Sequence, residues 1–138
     1  MTPHGILEAA LYVDDLDAAE RFYTEVLGLS RIERQANRHV FFRCGRGVLL
    51  LFNAATTVMP GTVAGQTIPA HGARGPGHVA FAMREEEIAA WRQRLQELGV
   101  AIESEVRWPQ GGHSLYFRDP AGNSLELAPP HIWGLDAL

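Results

Sequence analysis

Two carboxylates occur inside apolar runs: Glu8 between Leu7 and Ala9, and Glu126 between Leu125 and Leu127. Burying an unpaired charge costs far more than one side chain's packing returns, so each position demands a partner. His78, opening the run His78-Val79-Ala80-Phe81, adds an imidazole. Two anionic oxygen donors and one imidazole make the ligand set of a single divalent metal ion with positions left open for water or substrate. Such a set suits the harder ions, Mn²⁺, Mg²⁺, Fe²⁺ or Ni²⁺, with Zn²⁺ also admissible. Taken singly, each residue is more often a paired structural group, because most buried polar atoms simply have partners.

Their placement argues for a shared role. Strand alternation sends Glu8, Ala10 and Tyr12 to one face, His78, Ala80 and Ala82 to another, and Ser124, Glu126 and Ala128 to a third. Each candidate has small neighbours on its own face, which leaves room for a pocket. Leu27-Gly28-Leu29 maps onto Leu98-Gly99-Val100 at an offset of 71 residues, and Glu8 onto His78 at 70. An internal duplication places the candidates at equivalent points of two repeats.

Each repeat reads as β-α-β-β-β. Ile6 to Val13 is a strand, and Asp14, Asp15 and Asp17 suit the start of a helix. Leu16, Ala19, Phe22, Tyr23, Val26 and Leu27 recur at helical spacing until Gly28 supplies a left-handed cap. Strands near Ser30 to Arg34, His39 to Cys44 and Val48 to Asn53 follow, with a hairpin signal at Gly45-Arg46-Gly47. Residues 54 to 76 are rich in glycine and proline and read as a connection between the halves. The second repeat has a strand at His78 to Met83, an acidic helix start at Glu85 to Glu87, and an apolar stripe of Ile88, Trp91, Leu95 and Leu98. Strands near Ala101 to Val106, Ser114 to Arg118 and Ser124 to Ala128 complete it, the last turning at Asp119-Pro120-Ala121-Gly122.

The bulk properties narrow the function. At 138 residues and 46% apolar content the chain makes one domain with a real core. A net charge of −4 offers no basic field for nucleic acid or an anionic membrane surface. All twelve basic residues are arginine, which excludes a Schiff base through lysine. The lone Cys44 reads as a small strand residue, and no stretch suits a secretory signal or membrane span, so a cytoplasmic location is expected.

Several further residues fall within reach of a site. His113, after Gly111-Gly112, could serve as a general base or hold an anionic substrate, with a solvent-exposed strand edge as the alternative. Tyr12 shares the face of Glu8 and could orient a substrate, although a half-buried core tyrosine is commoner. Arg74, close to His71 before the strand of His78, could clamp a carboxylate or phosphate, or remain a solvated loop charge. The tail from His131 through Trp133 and Leu135 is expected to cover a core edge or a subunit contact.

The sequence resembles the vicinal oxygen chelate superfamily, which includes glyoxalase I, extradiol dioxygenases, fosfomycin-resistance thiol transferases and bleomycin-binding proteins. The resemblance rests on Val13-Asp14-Asp15-Leu16, on Phe22-Tyr23 leading into Val26-Leu27-Gly28-Leu29, on Gly77-His78-Val79-Ala80-Phe81, and on Phe117 to Asn123 running into Leu125-Glu126-Leu127. It implies an α+β fold, two βαβββ modules in tandem forming a cup-shaped mixed sheet. Module 1 would span about 5–53, the linker about 54–76, module 2 about 77–130 and the tail 131–138. It also implies metal ligation from the first and fourth strands of each half, hence by Glu8, His78 and Glu126, with either glutamate able to leave the ion and carry a proton. The remaining fourth-strand position holds Leu50, where four-ligand members place an acid or amide. Leu50 therefore joins Tyr12 and Arg74 as a candidate substrate contact.

The implied activity is a metal-dependent lyase, isomerase or dioxygenase acting on a small oxygen-rich substrate through two adjacent oxygens. The alternative is a small-molecule-sequestering protein of the bleomycin-resistance type. Members of this kind commonly form homodimers, so that Glu8 of one subunit would meet His78 and Glu126 of the other.

Overall fold

The computed structural model describes residues 1–136; Ala137 and Leu138, the end of the expected tail, lie outside the described residues. The chain divides into two compact units, Met1–Gly77 and His78 onward. Both have α+β architecture and the same βαβββ plan, as expected from the repeats.

In the first unit, β1 (Glu8–Tyr12) leads into α1 (Leu16–Glu25) and then β2 (Ser30–Gln35), β3 (His39–Cys44) and β4 (Gly47–Phe52). The sheet order is β1-β4-β3-β2, with β1 and β4 parallel and the other pairs antiparallel. Asp15 caps α1 by accepting from the Ala18 amide at 2.9 Å, satisfying a first-turn donor. Gly28 then takes φ 68°, a left-handed conformation that a Cβ would strain. Leu16, Ala19 and Tyr23 on α1 are buried, with the Tyr23 and Phe42 rings 5.9 Å apart. Leu11, Leu49, Leu51, Val40 and Phe42 make up the apolar face of this sheet, and α1 covers it.

The connection expected at 54–76 carries structure of its own. It contains a one-turn helix α2 (Ala54–Thr57) capped by Asn53, and a hairpin of β5 (Gly61–Val63) and β6 (Gln66–Ile68). Strands of three residues give too little periodicity to stand out among glycines and prolines.

The second unit repeats the plan with β7 (His78–Ala82), a short 3₁₀ turn at Glu85–Glu87, α3 (Ile88–Glu97), β8 (Ile102–Arg107), β9 (His113–Arg118) and β10 (Ser124–Ala128). Its order is β7-β10-β9-β8, with β7 and β10 parallel. Leu95 of α3 is fully buried, as are Leu115, Phe117 and Leu125 of the sheet. Gly99 ends α3 at φ 70°, matching Gly28 in the first unit. No helix among the described residues is long and apolar enough to cross a membrane.

Candidate metal centre

The register of the second sheet puts Ser124 beside His78, Glu126 beside Ala80, and Tyr116 across from Glu126. Paired residues on neighbouring strands point to the same side, so His78, Glu126 and Tyr116 share the face away from α3. His78 Nε2 stands 3.4 Å from Glu126 Oε2. The Tyr116 hydroxyl shares a hydrogen bond with the Glu126 carboxylate, and its ring stacks over His78 at 6.3 Å.

Two details fit this pair to a metal ion. His78 Nδ1 lies 3.0 Å from the Ser124 carbonyl, which can only accept, so Nδ1 carries the proton and the neutral ring keeps its Nε2 lone pair for a ligand. Glu126 is only 6% exposed, and its Oε1 is buried without a hydrogen-bond partner among the described residues. A buried carboxylate in this fold is otherwise satisfied. Asp119, equally buried, accepts from the Asn123 amide at 2.8 Å and from its Nδ2 at 3.0 Å. An imidazole lone pair facing a half-satisfied carboxylate is an acceptor set that a cation stabilises. Two other buried atoms share the lack of a partner, Arg38 Nη1 and His39 Nδ1; both belong to the first unit and are donors or donor-capable.

Tyr116 escaped the sequence reading, because it meets Glu126 only through the pairing of β9 with β10. Burial, and then the bond to Glu126, push its phenol up to about 12, so the hydroxyl remains a proton donor across the neutral range.

Glu8 and His113 depart from expectation. Glu8 opens β1 with its side chain exposed, so the burial argument applies to Glu126 and not to Glu8. Among the described residues, no three His, Cys, Asp or Glu side chains gather closely enough to hold a metal. His78 and Glu126 stand together within the second unit, and Glu8 belongs to the first. His113 shares the parity of Leu115 and Phe117 and points to the α3 side of the sheet. There its Nε2 lies 3.0 Å from Glu105, which Arg92 of α3 binds through two hydrogen bonds. It sits on the opposite face from the His78 and Glu126 pair. The sequence makes it a candidate general base or anion holder; strand parity sets it on the side away from the pair.

In the first unit, β1 and β4 pair Glu8 with Val48, Ala10 with Leu50 and Tyr12 with Phe52. Leu50 also pairs with Phe41, so Leu50 and Phe41 hold the register that Glu126 and Tyr116 hold in the second unit. Where one sheet is polar the other is apolar and aromatic. Phe52 meets Tyr12, His39, Phe41 and His71 ring to ring, and Arg38 lies over it at 5.7 Å. The Tyr12 hydroxyl and His71 Nδ1 are 2.7 Å apart. Arg74 and His71 line a cavity of about 630 Å³ beside α2. Burial pushes the Cys44 thiol up, which keeps it protonated in the metal-free chain.

A pair of βαβββ units with a histidine on the first strand and a glutamate on the last of the second unit defines a recognisable class. The model of the glyoxalase/bleomycin resistance protein/dioxygenase superfamily matches residues 5–127, and the chain belongs to that superfamily. A solved lactoylglutathione lyase from Agrobacterium tumefaciens superposes with a TM-score of 0.91 at 43% identity, covering 98% of this chain and 100% of that one. The glutathione transferase FosA of Serratia marcescens is 33% identical over 92% of this chain and 79% of its own length. The metallothiol transferase FosB of Bacillus licheniformis is 26% identical over 89% and 73%. All three bear the names of enzymes, and the chain falls among the enzymes of its superfamily.

Proposed function

We propose that the protein is a divalent-metal-dependent lyase or transferase that acts on a small oxygen-rich substrate, with a thiol as co-substrate or as part of the substrate. The carrying observation is the His78 and Glu126 pair, with its free Nε2 lone pair and the unpartnered buried Oε1. The thiol is supported by the relatives, whose names each specify glutathione, a glutathione adduct or a thiol.

When bound, the ion, whether Mn²⁺, Fe²⁺, Ni²⁺, Mg²⁺ or Zn²⁺, supplies Lewis-acid polarisation of substrate oxygens. His78 offers Nε2 because its other nitrogen is committed to Ser124. Glu126 offers a carboxylate held in place by Tyr116. Glu8, with its carboxylate exposed on the first unit, supplies the third donor from a second copy of the chain, which makes a homodimer the active form. Glu126 and Glu8 are the groups placed to carry a proton, since each is a carboxylate at the proposed centre. Tyr12 and Leu50 share the sheet face of Glu8 and would line the substrate's path.

The test is metal analysis of the purified protein and of Glu8→Ala, His78→Ala and Glu126→Ala, paired with a spectrophotometric screen for consumption of a thiol or of its carbonyl adduct. Stoichiometric metal lost in each variant, with turnover lost in parallel, supports the reading. Full metal content in all three variants would sink it. A protein that takes up no ion yet binds a small ligand would instead be a sequestering protein.

A further inference from the structure

Beside α2, the first unit carries an open cavity of about 630 Å³, a size typical of sites for small molecules. Its walls are short and apolar, among them Ala54, Ala55, Val58 and Ala73, and its polar lining consists of His71 and Arg74. The His71 amide donates to the Thr57 carbonyl at 2.9 Å, which stitches the loop to the buried end of α2 and gives the cavity a fixed wall. No acidic side chain lines it. Arg74 has no carboxylate partner among the described residues, whereas Arg31, Arg34, Arg84, Arg92 and Arg118 each do.

The His71 ring is held from behind. Its Nδ1 is bonded to the Tyr12 hydroxyl at 2.7 Å, and its face packs edge-on against Phe52 at 4.5 Å. The opposite ring nitrogen is therefore oriented and uncommitted. A guanidinium and an oriented imidazole lining the same alanine-walled cavity are complementary to a carboxylate on a short apolar body. We propose that this cavity is a binding site for a small monocarboxylate with an apolar body, its carboxylate on Arg74 and His71 and its body against Ala54, Ala55, Val58 and Ala73. The site lies wholly within the first unit and uses none of the proposed metal ligands.

Benzoate serves as the probe, added to the metal-free full-length chain with its alanine methyls isotopically labelled for NMR. Saturable shifts of the Ala54, Ala55, Ala70 and Ala73 methyls are expected, while Ala80, Ala82 and Ala128 in the second unit stay put. Benzamide, which lacks the charge, and inorganic phosphate, which lacks the body, should each bind at least about tenfold more weakly. Arg74→Gln should weaken benzoate by about tenfold or more, the scale of one charge-assisted hydrogen bond. Gly72→Leu should block it, because a Cβ there already comes within 3.4 Å of Val58 Cγ1 and 3.8 Å of Ala54 Cβ. Absence of saturation, equal binding of benzamide or phosphate, or benzoate affinity unchanged in Arg74→Gln would overturn the proposal. Because the metal-free chain is used, failure here is distinguishable from failure of the metal centre.

Discussion

Leu50 occupies in the first sheet the register position that Glu126 occupies in the second: Leu50 pairs with Ala10 and Phe41, Glu126 with Ala80 and Tyr116. Both side chains are largely buried, at 8% and 6% exposure, so the two units embed opposite chemistry at the same address. Leucine there stabilises the fold; a half-satisfied carboxylate there costs stability, which the proposed metal would offset.

Exchanging the two chemistries should have opposite effects on the metal-free protein. Glu126→Leu should raise its Tm and remove any further rise on adding metal. Leu50→Glu should lower the Tm through an unpaired buried carboxylate, which destabilises the fold by about 1–3 kcal/mol or more. Wild type should gain about 2.7 kcal/mol at a metal concentration a hundredfold above Kd. Thermal denaturation with and without metal reads all three, and a metal-induced rise surviving in Glu126→Leu contradicts the assignment.

Tyr116→Phe should loosen the ion without unfolding the chain. The lost hydrogen bond leaves the Glu126 carboxylate less constrained, and changes of this kind typically cost about 10- to 100-fold in metal affinity. Competition with a coloured chelator measures it. In the metal-free wild type, ultraviolet titration should also show one phenol ionising near 12 that is missing from the variant.

Glu105 should contribute an acid limb to stability. The bonds from Arg92, and then from His113, hold its carboxyl below the usual carboxylate value. The unfolded chain binds the proton more readily, so this stabilisation is present above about 4.5 and fades as pH falls through the lower folded value. The group is about one-third exposed, and solvent screening keeps the effect small. Glu105→Gln should flatten the stability curve in that window, and chemical denaturation at a series of acid pH values would show whether it does.

Leu95 and Leu98 provide a packing control. Leu95 is fully buried beneath α3 and Leu98 is 46% exposed. Leu95→Ala should cost about 2–5 kcal/mol and Leu98→Ala much less, as followed by urea unfolding. Equal losses would mean that α3 packs on a different face.

The βαβββ plan was readable because its signals are local and repeated. Both helices carry apolar stripes and both end on a left-handed glycine, at Gly28 and Gly99. The His78 and Glu126 pair was readable through strand alternation, since a charged residue within an apolar run has few structural excuses. The hairpin at Gly61–Val63 and Gln66–Ile68 was not, because strands so short carry no period. His113 was misplaced and Tyr116 overlooked for one reason: both depend on which face of β9 a residue takes. Parity is fixed by pairing with β10, a contact between strands that sequence spacing does not report. Glu8 was read as buried from its neighbours, yet Leu7 itself is 75% exposed.

The parallel pairing of first and last strands also governs the order in which the protein can be made. His78 leaves the ribosome well before Ser124, its partner in the β7–β10 ladder, and β7 has no parallel neighbour until β10 has been synthesised. Domains tend to fold as units from the N-terminal side during synthesis, so the first unit can close while the second is still a nascent chain. The histidine and glutamate must wait for the last strand to arrive. Under the proposed metal role, cation loading is deferred until translation of the second unit is complete, and an arrested or shortened chain would carry a finished aromatic half without that pair.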